Sequence, residues 1–196
     1  MYLKKITPAV LLLCSFMFLA CSKNEEETTL LEDSFIRNGD FEQGEDHWLF
    51  FTNGGTVSID TSLSNGKGSN SVKISTNGSS NPAIKKERIG IGVIQPGDRI
   101  QINFDHLGTV TGEGGMVNLI LFVERAEGEL GSPITHIFEP RPMLLDTWST
   151  YSQTFEIPAN AVVTGGISFL IESVCGGASG CQVDAYIDNV VLEVNP

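Results

Sequence analysis

Positive charge is scarce in this sequence. Its 196 residues carry 12 lysines and arginines against 24 aspartates and glutamates, a net charge of −12 at neutral pH. A surface of this sign repels phosphate backbones, so nucleic acid is excluded as an expected partner. Histidine is scarce too, with three residues and no companions at metal-ligand spacing. The sequence therefore gives no reason to expect a histidine-based metal centre.

A long apolar run is also missing. The apolar run of residues 6–20 is shorter than the ~20 residues that a transmembrane helix needs. Lys4 and Lys5 precede this run and Ala20 closes it, which is the pattern of an export signal. Cys21 follows directly, and the arrangement resembles the cleavage and lipidation site of bacterial lipoproteins.

The pattern predicts that residues 1–20 are a lipoprotein signal peptide, that the chain is cleaved before Cys21, and that Cys21 is lipidated. The chain would then be anchored to a membrane by lipid without spanning it. Residues 21–33 are polar and acidic and predict a flexible tether. The acidic cluster behind Cys21 resembles the surface-export signal of Bacteroidetes lipoproteins, so we expect an outer membrane lipoprotein exposed at the cell surface. The alternatives are that the N-terminus is an ordinary secretory signal cleaved elsewhere, and that residues 21–33 are a solvated linker without a surface-export signal.

Cysteine is the next scarce residue, with four in the chain. Cys14 lies in the predicted signal and Cys21 takes the lipid, which leaves Cys175 and Cys181 in an exported, oxidising compartment. Three of the five residues between these two cysteines are glycine, so the segment is flexible enough for the sulfurs to meet. We predict a disulfide between them.

Helical periodicity with capping residues is absent from the rest of the chain, whereas short alternating runs recur between glycine-rich turns. Ile100, Ile102 and Phe104 alternate with polar residues, and residues 116–125 alternate in the same way. Further runs lie at residues 57–59, 72–74, 151–157, 166–174 and 185–194. This pattern predicts an all-β sandwich of two antiparallel sheets over residues 34–196.

Five short motifs occur in a characteristic order along this domain. They are Asn38-Gly39-Asp40-Phe41-Glu42, Ser71-Val72-Lys73-Ile74, Gln95-Pro96-Gly97-Asp98, residues 148–155, and Tyr186-Ile187-Asp188-Asn189-Val190-Val191-Leu192. The ordered series resembles the CenC-type carbohydrate-binding modules of families 4 and 9, which are galactose-binding-like jelly rolls. The resemblance covers nearly all of residues 34–194. It implies a jelly-roll β-sandwich that binds polysaccharide or oligosaccharide and has no catalytic activity of its own.

The resemblance also implies a structural calcium ion where the first and last motifs meet. The ligands implied here are Glu42, Asp188, the carbonyl group of Asp40 and a carbonyl group from residues 67–70. A hard cation takes six to eight oxygen ligands, so this mixture of carboxylates and carbonyls suits calcium. The alternative is that Asp188 caps its strand and Glu42 is solvated.

A sugar ring needs an apolar platform with planar polar side chains beside it. The alternation in residues 116–125 places Phe122 on one face together with Asn118 and Glu124, which makes Phe122 the first candidate platform. The alternation does not say which face is covered, so the alternative is that Phe122 lies under a loop such as residues 140–145.

Further carbohydrate-binding candidates come from neighbouring segments. They are Asn103 and Asp105 on the corresponding face of the preceding strand, Glu172 on a later strand, Trp48 as a second platform, and His136 and Arg141 as donors to sugar hydroxyl groups.

Catalysis would need two positioned carboxylates, and no E-x-D-x-x-E run of the jelly-roll glucanases occurs. We therefore predict a non-catalytic, lipid-anchored module that retains glycan at the cell for other glycan-uptake proteins. The alternatives are a jelly-roll glycosidase or polysaccharide lyase, and an adhesin that binds protein.

Overall fold

Eleven β-strands and no helix form the part of the chain that the computed structural model describes, residues 35–66 and 68–196. The predictions for the signal peptide, for Cys21 and for the tether lie outside these residues, as does Lys67 of the predicted calcium loop. Across the described ranges, no helix has the length and apolar character to cross a membrane.

Two antiparallel sheets share these strands. In chain order they are β1 (Leu49–Phe51), β2 (Thr56–Asp60), β3 (Ser71–Asn77), β4 (Ser79–Ser80), β5 (Ala83–Ile89), β6 (Arg99–Thr111), β7 (Gly115–Glu124), β8 (Ile134–Ile137), β9 (Ser149–Glu156), β10 (Gly166–Gly176) and β11 (Gln182–Val194). Sheet A has the order β1-β5-β10-β7-β8, with β4 paired to β10. Sheet B has the order β2-β3-β11-β6-β9. The predicted β-sandwich of two antiparallel sheets is confirmed.

The core lies between the inner faces of the two sheets. Strand β6 contributes Ile100, Ile102 and Phe104, all fully buried. Strand β7 contributes four buried aliphatic residues at alternate positions, Val117, Leu119, Leu121 and Val123. Period-two alternation therefore identified the inner faces of both strands correctly, because successive side chains of a strand point to opposite sides.

The segment before β1 is fixed against the last strand. The Phe35 N–H donates to the Leu192 carbonyl (3.0 Å), and the Val190 N–H donates to the Gly39 carbonyl (2.8 Å). A Cβ atom at Gly39 would lie 2.0 Å from the Val190 carbonyl oxygen, so only glycine allows this approach. The chain thus enters the sandwich beside the end of β11.

The predicted disulfide is confirmed. Cys175 and Cys181 are joined with an S–S distance of 2.07 Å, and both are buried. The bond links the end of β10 in sheet A to the segment that leads into β11 in sheet B. It therefore ties the two sheets together at one end of the sandwich.

Candidate functional site

A row of side chains crosses all five main strands on the outer face of sheet A. Directly opposite residues of antiparallel strands project to the same face. The successive pairs are Leu49–Lys85, Lys85–Leu170, Leu170–Ile120 and Ile120–Ile137. Leu49 and Ile137 are 43% and 47% exposed, while Leu170 and Ile120 are half-buried. We call these four aliphatic residues the apolar row; at ~4.8 Å per strand its length is about 19 Å.

Polar side chains lie beside the apolar row. Asn118 and Glu172 are opposite each other on β7 and β10, and the Asn118 Nδ2 donates to Glu172 Oε1 (2.8 Å). Asn118 is 8% exposed, and its Oδ1 has no hydrogen-bond partner within the described residues. A buried acceptor without a donor costs roughly 1–3 kcal/mol. This oxygen is therefore an unsatisfied acceptor just beneath the outer face, and a hydroxyl group of a ligand reaches it only when neighbouring side chains move aside.

Phe122 is half-buried and lies on the side of the apolar row that is away from Asn118 and Glu172. The Lys85 ammonium is 5.5 Å from the centroid of its ring. The same nitrogen is 2.7 Å from Glu87 Oε1 and 3.9 Å from Glu124 Oε1. Phe122, Glu124 and Asn118 thus share one face, as the alternation predicted, and Lys85 adds a cation that is already paired with carboxylates.

The loop of residues 140–145, which was the alternative cover for Phe122, packs on sheet B. The Gly108 N–H donates to the Leu145 carbonyl (2.8 Å), and the Tyr151 hydroxyl donates to the Pro140 carbonyl (2.7 Å). Both donors lie on strands of sheet B, β6 and β9. The hydrogen bonds of this loop therefore hold it on the other layer of the sandwich, away from the position proposed for a cover.

The prediction that Asn103 and Asp105 share a face with Phe122 is wrong. Both lie on β6, which belongs to sheet B, whereas Phe122 lies on β7 of sheet A. The chain crosses from sheet B to sheet A after β6. Residues at corresponding positions in the alternation of β6 and β7 therefore lie on different sheets and do not meet. Asp105 instead accepts hydrogen bonds from Thr150 Oγ1 (2.6 Å) and Asn189 Nδ2 (2.9 Å).

The prediction of Trp48 as a sugar platform is wrong as well. Its side chain is 6% exposed, and its Nε1 donates to the Asn38 carbonyl (2.8 Å). Its ring centroid lies 5.1 Å from that of Phe41 and 5.8 Å from that of Phe169, in the core. A ring enclosed in this way offers no face to a ligand.

A buried lysine supports the same region. The Lys86 ammonium donates to the carbonyl groups of Arg37 (3.0 Å) and His47 (2.8 Å) and lies 5.2 Å from the centroid of the Trp48 ring. Burial, with a smaller contribution from the charge of Arg37, lowers the pKa of Lys86 to about 8. Lys86 therefore fastens the segment before β1 to the sandwich.

His136 faces inward, so its predicted role as a donor on the binding face is wrong. It pairs with Leu121, a core residue, and its ring centroid lies 4.5 Å from Phe155 and 4.7 Å from Phe138. Arg141 belongs to the loop that packs on sheet B, and its Nη2 lies 3.0 Å from Glu139 Oε1. Neither residue is joined to Phe122 by the register of sheet A.

Glu42, a predicted calcium ligand, holds the loop between β2 and β3. Its Oε1 accepts the N–H groups of Ser69 and Asn70, both at 2.8 Å. Partial burial opposes ionisation, but the N–H groups of Asn70 and Ser69 outweigh it and keep the pKa of Glu42 below its usual value. The carboxylate is thus ionised and engaged at neutral pH.

Asp188 holds the same loop from the other side. It is 1% exposed, and its Oδ2 accepts the Asn65 N–H at 2.9 Å. Burial raises the pKa of Asp188, and the neighbouring carboxylates of Asp105 and Asp40 raise it further. Within residues 35–66 and 68–196, no group of three histidine, cysteine, aspartate or glutamate side chains is placed to hold a metal ion. Any calcium bound here would therefore depend on backbone carbonyl groups.

The outer face of sheet B is polar by comparison. Tyr186 on β11 is opposite Lys73 on β3, whose ammonium lies 5.3 Å from the centroid of the tyrosine ring. The same ammonium lies 3.6 Å from Asp184 Oδ1, an oxygen that also accepts the Ser75 hydroxyl. The Lys73 ammonium is thus paired within the protein, as Lys85 is on sheet A, so it is the apolar row that makes the outer face of sheet A the candidate site.

Sequence reasoning missed three of the strands that build this site. Strands β1 and β8 have only three and four residues. Strand β5 shows no apolar–polar alternation in its sequence, because the buried residue that follows outward-facing Lys85 is a second lysine, Lys86. The signal that was available was the aliphatic pair on the outer face of β7 and β10, Ile120 and Leu170.

Comparison with known proteins supports the fold. No family model matches the chain, and no curated protein matches it. A solved structure of the CBM22-2 xylan-binding domain of Paenibacillus barcinonensis Xyn10C superposes with a TM-score of 0.52 at 16% identity, over 79% of this chain and 96% of that one. A carbohydrate-binding module of the β-sandwich superfamily, described as promiscuous in specificity, gives 0.54 at 14% identity, over 78% and 60%.

The enzymatically active domain of bacteriophage CBA120 tailspike protein 4 is similar too, with a TM-score of 0.59 at 15% identity, over 83% of this chain. The present chain spans only 21% of that tailspike chain. At these identities the likeness is one of fold: a jelly-roll β-sandwich of the kind found in carbohydrate-binding modules.

Proposed function

We propose that this protein binds polysaccharide or oligosaccharide, without catalysis, on the outer face of sheet A. The observation that carries the proposal is the apolar row lying beside a buried oxygen, Asn118 Oδ1, that has no donor within the described residues. Ligand sites combine apolar surface with a few well-placed polar groups, and this face has both.

The chemistry of the face matches that of a sugar. The C–H groups of a sugar ring can pack on Ile120 and Leu170, and its hydroxyl groups can donate to Asn118 Oδ1 and to Glu172. The side chains stand on paired strands of a sheet, so little conformational freedom is lost when a ligand binds. The Asn118–Glu172 hydrogen bond of 2.8 Å already orients the polar pair.

Non-catalytic binding is proposed because the carboxylates of this face have partners. Glu172 accepts a hydrogen bond from Asn118, and Glu124 lies 3.9 Å from the Lys85 ammonium. The xylan-binding domain and the β-sandwich module of similar fold are named for carbohydrate binding, which agrees with the proposal. The tailspike domain is named as enzymatically active, so the fold alone does not decide the question.

Affinity electrophoresis tests the proposal. The full chain carrying Cys21→Ser, which takes no lipid, is run in native gels that contain xylan, β-glucan, mannan or starch. Retarded migration in at least one gel, without release of reducing ends, is expected. A Tyr186→Ala variant, altered on the outer face of sheet B, should be retarded equally. Release of oligosaccharide would overturn the non-catalytic assignment, and free migration in every gel would overturn glycan binding.

A second candidate function is the binding of a protein partner. The observation that favours it is the aliphatic character of the apolar row, since the centres of protein interfaces are apolar. A photo-crosslinker at Ile137, which is 47% exposed, should then capture a protein in intact cells. Capture of one defined protein, together with free migration in every polysaccharide gel, would favour this second function.

We further propose that lipid on Cys21 anchors the protein in the outer membrane, facing outward, with residues 21–33 as the tether. The support is the sequence pattern around Cys21 and the entry of the chain beside the end of β11 at Phe35. Metabolic labelling with an alkyne fatty acid should mark the full chain and not Cys21→Ser. Digestion by protease added to intact cells distinguishes an outward position from a periplasmic one.

Calcium binding near Glu42 and Asp188 is proposed as a structural feature. The support is that burial raises the pKa of Asp188 and that the carboxylates of Asp105 and Asp40 raise it further, by a repulsion that a divalent cation would relieve. Calcium should raise the melting temperature and chelation should lower it, and Glu42→Gln should weaken this dependence. Identical melting temperatures in calcium and in chelator would contradict the proposal.

A further inference from the structure

The centre of the outer face of sheet A is aliphatic rather than aromatic. Ile120 and Leu170 are directly opposite each other on the two central strands, β7 and β10. The aromatic rings lie to the sides: Phe122 carries the Lys85 ammonium 5.5 Å from its centroid, and Phe51 stands on the edge strand β1. The broad ring surface on which an unsubstituted sugar stacks best is therefore displaced from the middle of the face.

Aliphatic side chains favour a different part of a glycan. A hydroxyl group pressed against Ile120 and Leu170 loses its water and finds no hydrogen-bond partner there, which is unfavourable. A methyl group in the same place is stabilised by leaving water. The centre of the face thus suits a substituent that ends in a methyl group.

The polar pair lies at a suitable distance from the centre. Asn118 is two residues from Ile120 on β7, and Glu172 is two residues from Leu170 on β10, so each is displaced by about 7 Å along its strand. That displacement is close to the width of one sugar ring. A sugar can therefore place a methyl group on the apolar row while a ring hydroxyl donates to Asn118 Oδ1.

The charges of the face disfavour acidic glycans. The ammonium of Lys85 is engaged by Glu87 and Glu124, at 2.7 Å and 3.9 Å. Glu172 lies on the other side of the row, and the whole chain has a net charge of −12. A uronate or a sulfate would be repelled here, so the ligand is neutral.

We propose that this face selects neutral glycans that carry methyl-terminated substituents, either O-acetyl groups or the methyl groups of 6-deoxy sugars. The inference rests on the proposed glycan binding at the same face and adds its specificity. The apolar row contacts the methyl group, and Asn118 Oδ1 accepts a hydrogen bond from a ring hydroxyl.

Two matched pairs of polysaccharides test this specificity. The first is acetylated glucomannan and the same material after removal of its acetyl groups with alkali. The second is fucosylated xyloglucan and the same material after treatment with a fucosidase. Dissociation constants of the full chain carrying Cys21→Ser are measured by titration in each case. At least one substituted form should bind about tenfold more tightly than its stripped form, and the pair that responds identifies the substituent.

A variant within the apolar row and one outside it complete the design. Ile120→Ser should weaken binding of both forms, but that of the substituted form more, so that the preference falls to less than about twofold. Leu107→Ser, at a half-buried residue of β6 that is opposite Tyr186 on the outer face of sheet B, should leave the preference intact. Thermal unfolding checks that both variants are folded.

The outcomes separate this inference from the proposed function. Equal binding of substituted and stripped forms, or preference for the stripped forms, would overturn the inference and leave glycan binding in place. Preference that persists in Ile120→Ser would overturn the role of the apolar row. Binding to none of the four polysaccharides would overturn the inference, and if the protein also migrates freely in every affinity gel, glycan binding is overturned too and a protein partner is favoured.

Discussion

Replacement of Phe122 by alanine should separate ligand binding from folding. A fully buried phenylalanine costs about 3–5 kcal/mol when it is truncated to alanine. Phe122 is only half-buried and stands on the outer face of sheet A, so we expect a smaller loss of about 1–2 kcal/mol in the free energy of unfolding. That loss includes the contact with the Lys85 ammonium, worth roughly 0.5–1 kcal/mol at an exposed site.

The effect of Phe122→Ala on binding follows from the area that a ligand covers. A glycan that removes ~50 Å² of the ring from water gains about 1.3 kcal/mol at roughly 25 cal/mol per Å². This corresponds to a change of nearly tenfold in the dissociation constant. Leu121→Ala is the matched control, because Leu121 is the preceding residue of β7 and is fully buried. It should cost about 2–5 kcal/mol of stability and leave the affinity of the folded protein unchanged.

The assay combines urea unfolding with titration of the polysaccharide that is retained most strongly in affinity gels. If Phe122→Ala destabilises the protein as much as Leu121→Ala and leaves the affinity unaltered, Phe122 is a packing residue. The assignment of the outer face of sheet A to ligand binding would then lose its aromatic contact.

Three further predictions concern stability. Replacing Cys175 and Cys181 together by serine should lower the unfolding free energy by about 2 kcal/mol, because the cross-link closes a short loop with a sequence separation of 6; equal stability of the reduced and oxidised protein would contradict this. Burial lowers the pKa of Lys86 from 10.5 to about 8, so the unfolded chain binds this proton more tightly than the folded protein does. The unfolding free energy should therefore rise between pH 8 and 10.5, by at most about 3 kcal/mol. Lys86→Met should remove that rise, and a rise of equal size in both proteins would refute the assignment. Tyr151→Phe should cost about 1 kcal/mol in urea unfolding by removing the hydrogen bond to the Pro140 carbonyl, whereas unchanged stability would show that this bond does not hold the loop.

Alternation along single strands predicted the layers of this fold well. The inward residues of β6 and β7 were identified because each long strand buries one face, and burial leaves a period of two in the sequence. The two cysteines were paired correctly because they stand close in sequence across a glycine-rich turn. Local pattern was sufficient in both cases because the features themselves are local.

The composition of the binding face was harder to predict, because it depends on which strands become neighbours. Asn103 was assigned to the wrong face, since β6 and β7 are consecutive in sequence and lie in different sheets. Lys85 and Ile137 were missed, since their strands are short or irregular. A tryptophan near a loop has the same sequence context whether it is exposed or enclosed. The sequence therefore predicts a platform at Trp48, whose ring the fold encloses between Phe41 and Phe169.

The most direct test of glycan binding on sheet A is methyl NMR of the full chain carrying Cys21→Ser during titration with an oligosaccharide from the retained polysaccharide. We expect the methyl signals of Ile120, Leu170 and Ile137 to shift together and saturably, while those of Leu107, opposite Tyr186 on the outer face of sheet B, stay in place. Saturable shifts centred on Leu107 and the surroundings of Tyr186, with the apolar row unaffected, would contradict glycan binding on sheet A.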